Sequence, residues 1–453
     1  MNIRPGDLRW MGSVAGVLVL LTGTTTWADV VLPGDARLRN VERLILATDP
    51  KSPTVQAIEA AQASIAKRDL KAARESLQIL TTDPNVAHPE IVLAELLTAA
   101  GFAADGRTIL EELGGKEPQR VDVYLAFCEL AVREQRWFDG WNLADNSERG
   151  SVPEHWSPAF RQQMRDRLRM LKAACCEGRK DWKGAQEIYL PLSQTTKSAG
   201  DALAGLARTS FHQGNTEDAL RHFEALKKLH PEADPPHLLL AQLYDLTGKP
   251  KEAEAAYRQA LQSATGADAV RVRLSFARWL IFNNRPEPTA PLLAEAIPDS
   301  PENEMERQFL QALVARMEGR LADAQKILSP LHQQNANSFV IGNQLALALC
   351  HSTDESLRAR SLQIAETNTR NLPKSAEAWA TLGWIQLQLG DRTMAEKSLA
   401  NAAQLGPMSR DTLYYLWQFK RATDDAEATK LLEKAFREAK GPNYFAPPEP
   451  AKQ

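Results

Sequence analysis

The chain has 453 residues, 43% hydrophobic and 25% charged, a globular composition with enough apolar content for one long core or several domains, which excludes a disordered polymer. Its 54 Lys and Arg stand against 57 Asp and Glu, a formal net charge of -3. The positive excess that drives non-specific binding to nucleic acid or to an anionic membrane is missing, so no nucleic-acid partner is expected.

Residues 1–28 carry the three parts of a secretory signal: Arg4 and Arg9, an apolar run from Trp10 to Leu21, and Thr22 to Ala28 ahead of Asp29. Cleavage after Ala28 would leave an exported chain, periplasmic or extracellular. The apolar run would span only about 18 Å as a helix, short of a hydrocarbon core of roughly 30 Å, so a stable membrane span is the weaker reading. An uncleaved segment would leave a single amino-terminal anchor, the one expected route to a membrane. Residues 29–53 read as a linker or capping helix.

From residue 54 onward a small side chain recurs: Ala61, Ala94, Cys128, Ala173, Ala207, Ala241, Ala277, Ala312, Ala346 and Gly383, with Leu416 breaking the rule. The intervals run 33, 34, 45, 34, 34, 36, 35, 34, 37 and 33, a period of about 34 residues that fits a two-helix repeat. Twelve residues after each small site lies a second column: Ala73, Gly106, Gly140, Ala185, Ala219, Ala253, Ala324, Ala395 and Ala428, with Thr289 and Arg358 off-pattern. One helical turn further come large residues such as Leu77, Tyr189, Phe223, Tyr257, Leu293, Leu328, Leu362 and Leu399. Small columns let two antiparallel helices approach closely, and the large residues fill the groove between layers.

Gly214, Gly248, Gly319 and Gly390 each lie seven residues past a small site, where a first helix should stop and a left-handed cap is needed. Pro118, Pro231, Pro301 and Pro407 fall near the ends of second helices, whose interiors proline cannot continue. This pattern predicts eleven helix pairs. Residues 54–147 hold the degenerate first three, residues 148–160 an insertion with Pro153, His155, Trp156 and Pro158, and residues 161–440 the remaining repeats. The insertion reads either as a joint between two blocks or as a surface loop. The proline-rich tail, residues 441–453, is expected to be disordered.

The segment from Ala376 to Pro407 carries Trp379, Leu382, Gly383, Ala395, Leu399, Ala402 and Pro407, and through them resembles the tetratricopeptide repeat family, with Gln386 standing where an aromatic is usual. The segments from Asp201 to Pro231 and from Pro235 to Ala260 fit nearly as well. The resemblance implies an all-α fold, a right-handed α-solenoid of antiparallel helix pairs. It also implies binding of a protein or extended peptide along the concave wall formed by the first helices. Projected onto this sequence, that wall includes Arg208, Gln242, Arg278, Arg316, Trp384, Trp417 and Lys420. Arg and Trp give the most energy per contact at interfaces, although Trp384 and Trp417 could equally pack against the next repeat. The asparagine and lysine set with which some relatives clamp a terminal carboxylate is not recognisable.

Candidates for chemistry are few. The Ser64 to Lys67 spacing of some penicillin-interacting enzymes stands without its companion motifs and inside a predicted helix. His212, His222, His230 and His237 crowd one repeat junction without metal-ligand spacing, and read as solvated. Arg161, Arg165, Arg167, Arg169 and Lys172 suggest a polyanion surface or, more simply, a solvated helix face. Cys128, Cys175, Cys176 and Cys350 read as buried thiols. No catalytic residue, metal or cofactor is expected. The sequence reads as a non-enzymatic scaffold or adaptor of the cell envelope; the alternative is a groove-binding enzyme or polysaccharide-binding module on the same solenoid, with a saccharide polymer as its ligand.

Overall fold

The computed structural model of the chain describes residue 49 and residues 51–194, 199–297 and 300–444. The expected signal at residues 1–28 and most of the expected linker after it lie outside the described residues. No described helix is long and apolar enough to cross a membrane. The described residues contain 21 α-helices and no strand, with one isolated bridge between Arg120 and Ser151. They fall into two units divided between Ala260 and Leu261.

The unit up to Ala260 holds six helix pairs: α1 (Pro53–Ala66) with α2 (Leu70–Ser76), α3 (Pro89–Ala99) with α4 (Ala103–Lys116), α5 (Val121–Arg133) with α6 (Trp137–Asn146), α7 (Pro158–Gly178) with α8 (Trp182–Leu192), α9 (Ala199–His212) with α10 (Thr216–Leu229), and α11 (Pro236–Leu246) with α12 (Pro250–Ser263), whose last turn crosses the division. The unit from Leu261 holds α13 (Gly266–Phe282), then α14 (Pro301–Met317) with α15 (Leu321–Gln334), α16 (Phe339–Leu349) with α17 (Glu355–Asn371), α18 (Ala376–Gln388) with α19 (Arg392–Gln404), and α20 (Arg410–Ala422) with α21 (Ala426–Glu438). Each unit is an α-solenoid of stacked helix pairs.

The two small columns are where the helices of a pair touch. The alanines of the first column from Ala61 to Ala346 are sealed from solvent, as are Ala73, Ala185, Ala219, Ala253, Ala324 and Ala395 of the second. A β-carbon added at Gly383 would come within 2.7 Å of Leu399 Cγ, and one at Gly106 within 2.6 Å of the Ala94 carbonyl oxygen. Any larger residue would force the pair apart, which makes the columns legible as a period.

The turns repeat as strictly. Gly101, Gly214, Gly248, Gly319 and Gly390 have positive φ, and so do Arg68, Gln135, Lys180, Asn284 and Asp424 at the corresponding place in other repeats. Residues with a β-carbon hold this strained conformation because the fold demands it. In five pairs the next residue, Asp69, Asp181, Asn215, Asp391 or Asp425, caps the second helix through its side chain.

Three features depart from the sequence reading. The second helix of the seventh pair is absent: Pro286, Pro288 and Pro291 remove backbone donors, leaving a 3-10 turn at Ala290–Leu293. Neighbouring side chains take over its packing. Arg307 Nη1 and Gln311 Nε2 of α14 donate to the Leu293 carbonyl at 2.6 and 2.8 Å, and the Ile297 amide donates to Glu304 Oε2 at 2.8 Å. In the ninth pair the second column is filled by Ser361 rather than Arg358, because the connection is longer; Ser361 Oγ donates to the Ala346 carbonyl at 2.9 Å. The tail is packed as far as Tyr444, with Gly441 and Pro442 buried.

The long interval of the fourth repeat is spent on a 21-residue α7 and on a segment tied to its surroundings. Ser151 exchanges backbone bonds with Gln119 and Val121 at 2.7 and 3.0 Å. Trp156 is buried in a core with Val121, Leu125 and Phe160. The Ser157 amide donates to the Pro84 carbonyl at 2.9 Å, and its hydroxyl to Asn85 Oδ1 at 2.7 Å.

Candidate functional site

First helices present the face on which a partner is expected, and the seven residues projected onto it have different placements. Arg208 on α9 faces inward and is 6% exposed. Its Nε and Nη2 donate to Glu177 Oε2 and Oε1 at 3.0 and 2.8 Å, and Tyr189 Oη donates to Glu177 Oε1 at 2.6 Å. Burial works against the Arg208 charge and Glu177 more than offsets it, so the guanidinium pKa is raised. Burial, then Glu177, pushes the Tyr189 phenol well up. Helices α7, α8 and α9 are joined through this triad. Gln242 on α11 is half-buried. Lys420 lies 3.2 Å from Asp425 Oδ2 and closes the turn between α20 and α21.

The other four lie, like Lys420, in the unit from Leu261. Arg278 on α13 stands 3.3 Å from Glu306 Oε1 of α14 and donates to Ser275 Oγ at 2.9 Å. Arg316 on α14, 2% exposed, donates to Gln344 Oε1 of α16. Trp384 on α18 stacks on Tyr415 of α20, ring centroids 5.0 Å apart. Trp417, half-buried, stacks on Phe436 of α21 at 5.6 Å. Tyr414 links the tryptophans, with centroids 5.6 Å from Trp384 and 5.8 Å from Trp417.

Beside this aromatic cluster runs a polar column that the sequence reading missed: Asn343 on α16, Glu377 on α18 and Asp411 on α20. Asn343 Nδ2 donates to Glu377 Oε1 at 3.3 Å. Burial, then the like charge of Asp411, pushes the Glu377 carboxyl up to about 7. Burial pushes Asp411 up to about 6, with Arg316 and Arg410 holding it down. These are carboxylates without a full complement of cations, on a face that also offers indole and phenol rings. The column lies at the repeat's own spacing, residues 343, 377 and 411, which is the signal that could have found it.

Across this face lies the segment 441–444. Asn284 Nδ2 and Arg410 Nη1 donate to the Gly441 carbonyl at 3.1 and 3.0 Å, and the Asn443 amide donates to Asn284 Oδ1. The Arg316 guanidinium carbon sits 4.5 Å from the Tyr444 ring centroid. Burial, Asp411 and Glu377 push the Tyr444 phenol up while Arg316 opposes them.

The remaining candidates dissolve into structure. Ser64 Oγ donates to the Ala60 carbonyl of its own helix at 3.0 Å. Arg161 donates to the Trp156 and Glu154 carbonyls, Arg167 pairs with Glu129, and Lys172 lies 2.6 Å from Asp145, leaving Arg165 and Arg169 as the exposed remainder of the basic stretch. His212 stacks on Trp182 at 4.2 Å, and His230 lies 3.0 Å from Glu232. No group of three metal-ligating side chains occurs among the described residues. All four cysteines are buried free thiols.

Family models of the tetratricopeptide repeat match residues 210–271 and residues 376–407. The second match coincides with α18 and α19, and the first runs from the end of α9 into α13. No curated protein matches the sequence. Among solved structures, the chain is similar to the APC/C hetero-tetramer Cut9–Hcn1, at 12% identity and a TM-score of 0.34, covering 89% of this chain and 82% of that one. It is similar to a tetratricopeptide repeat protein from Parabacteroides merdae, at 15% identity and a TM-score of 0.38, covering 59% and 98%. It is also similar to pilF of Pseudomonas aeruginosa, at 16% identity and a TM-score of 0.27, covering 53% and 92%. Residues 210–271 and 376–407 are thus tetratricopeptide repeats, and the period they share runs through both units.

Proposed function

We propose that this protein is a non-enzymatic scaffold of the cell envelope, which holds a protein partner or extended peptide on the first-helix face of the unit from Leu261. Repeats of this family are interaction modules, and the coarse assignment as a protein-interaction scaffold follows from them. The finer reading rests on one observation: Asn343, Glu377 and Asp411 align with Arg316, Trp384, Tyr414 and Trp417 on successive first helices. Under-neutralised carboxylates beside large rings suit a segment that brings backbone N–H groups, basic side chains or aromatic side chains. The envelope location is supported by Arg4, Arg9 and the apolar run ahead of Ala28.

The test is affinity capture from the exported fraction with the wild-type chain and with Glu377→Arg/Asp411→Arg, helicity being checked by circular dichroism. A protein retained by the first and lost by the second, at equal helicity, is the expected result. Equal retention by both clears this face of the role. Retention of carbohydrate without protein would instead support the saccharide-binding alternative.

A further inference from the structure

The segment 441–444 is joined to α21 by only Ala439 and Lys440, yet it is held by residues far away in sequence: Asn284 at the end of α13, Arg316 on α14 and Arg410 on α20. Its contacts are those of a bound peptide. A backbone carbonyl accepts from two side chains, a backbone amide donates back to one of them, Asn284, and an aromatic ring lies against a guanidinium. Gly441 has φ +113°, a conformation that side-chain-bearing residues rarely adopt, so the bend that directs the segment onto the face depends on glycine. Pro442 limits the freedom lost on docking.

We propose that residues 441–444 are a built-in ligand: this face recognises an extended peptide bearing a tyrosine, and the chain's own segment fills the seat until a partner segment of that chemistry displaces it. The proposal rests on the scaffold reading for the location of the face, and adds the ligand's chemistry and the competition. The Arg316 guanidinium meets the face of the ring, and the carboxylates that share the surface, Glu377 and Asp411, favour a phenol that can donate over a plain phenyl ring. An acidic side chain at that position would meet the same two carboxylates and be repelled. A two-residue tether gives the internal ligand an effective concentration in the millimolar range, so a partner must compete against it, and losing the tether removes that competition.

The experiment uses a fluorescein-labelled synthetic peptide of residues 440–447 as probe, read by fluorescence anisotropy. Proteins are the full chain, a chain ending at Lys440, and the full-length variant Gly441→Val, all checked for helicity and melting temperature. The shortened chain and Gly441→Val are expected to bind the peptide at least about tenfold more tightly than the full chain. A peptide carrying Tyr444→Ala should bind the shortened chain at least about tenfold more weakly than its parent. Equal uptake by full and shortened chains overturns the proposal, as does no uptake by the shortened chain up to the millimolar effective concentration of the tether. A Gly441→Val chain that still refuses the peptide also overturns it. Groove-dependent capture of a partner with no peptide uptake would sink the built-in ligand alone. Peptide uptake with no groove-dependent partner would sustain it and remove the scaffold reading.

Discussion

Carboxylates on first helices meet opposite fates in the two units. In the unit up to Ala260, Glu177 receives two guanidinium N–H groups and a phenol, so the charge is matched within the fold. In the unit from Leu261, Glu377 receives one amide N–H from Asn343 at 3.3 Å and faces another carboxylate, and its pKa climbs to about 7. A buried charge that is fully matched serves the fold, because desolvation leaves nothing over for a visitor. One that is under-matched marks where a further donor can be accepted. Arg208, projected as a binding residue, belongs to the first kind, and Glu377, which the projection missed, to the second.

The comparison breaks most sharply at Arg208. Arg208→Ala strands the Glu177 charge, and chemical denaturation should show a loss of about 3–5 kcal/mol; a loss below about 1 kcal/mol would mean that the triad is not structural. Glu304 is the matched carboxylate of the other unit, pulled down to about 2 by hydrogen bonds from Arg307 and, with burial opposing, from the Ile297 amide. Its folded pKa lies below the unfolded value, so its contribution is present above about pH 4.5 and lost as pH falls toward 2. Glu304→Gln should cost about 2–3 kcal/mol at pH 7 and progressively less toward acid, as read by paired melting curves.

Glu377 should behave with the reverse sign. Its folded pKa lies above the unfolded one, so the protonated form contributes stability below about pH 4.5 that is lost as pH rises through about 7. Glu377→Gln should therefore leave stability unchanged near pH 4 and raise it by about 2 kcal/mol at pH 8. A variant less stable than wild type at pH 8 would show that the carboxylate is matched after all. The smallest effect sharpens the comparison by touching backbone alone. Lys180, whose amide bonds to the Glu177 carbonyl at 2.8 Å, has φ +62°. Lys180→Gly should stabilise by about 0.5–1 kcal/mol, with the triad intact in a double-mutant cycle with Arg208→Ala.

The repeat was legible because its constraint is local and steric: only a small side chain fits at Ala207 or Gly383, and that requirement recurs with the period. The missing second helix after α13 was less so. Thr289 showed as an off-pattern residue, but the three prolines around it weigh more than the period that the reading extended through them. The site was harder still. Spacing puts Arg208, Arg316 and Trp384 at plausible places on first helices, but cannot say whether a side chain turns outward or reaches a partner such as Glu177, 31 residues away. The segment 441–444 was illegible for a related reason. Its composition is that of an unfolded tail, and what orders it are Asn284, 157 residues earlier, and Arg410.

The anchoring of Ser157 carries a consequence for how the molecule opens. In a solenoid whose repeats touch only their neighbours, unravelling can begin at one end and stop at any boundary. Here the start of α7 is fastened to the Pro84–Asn85 loop, 72 residues back, across two intervening helix pairs. That strap turns α3 to α7 into one cooperative block, so amide exchange between residues 84 and 158 should proceed as a single event rather than as a sequence of frayed layers.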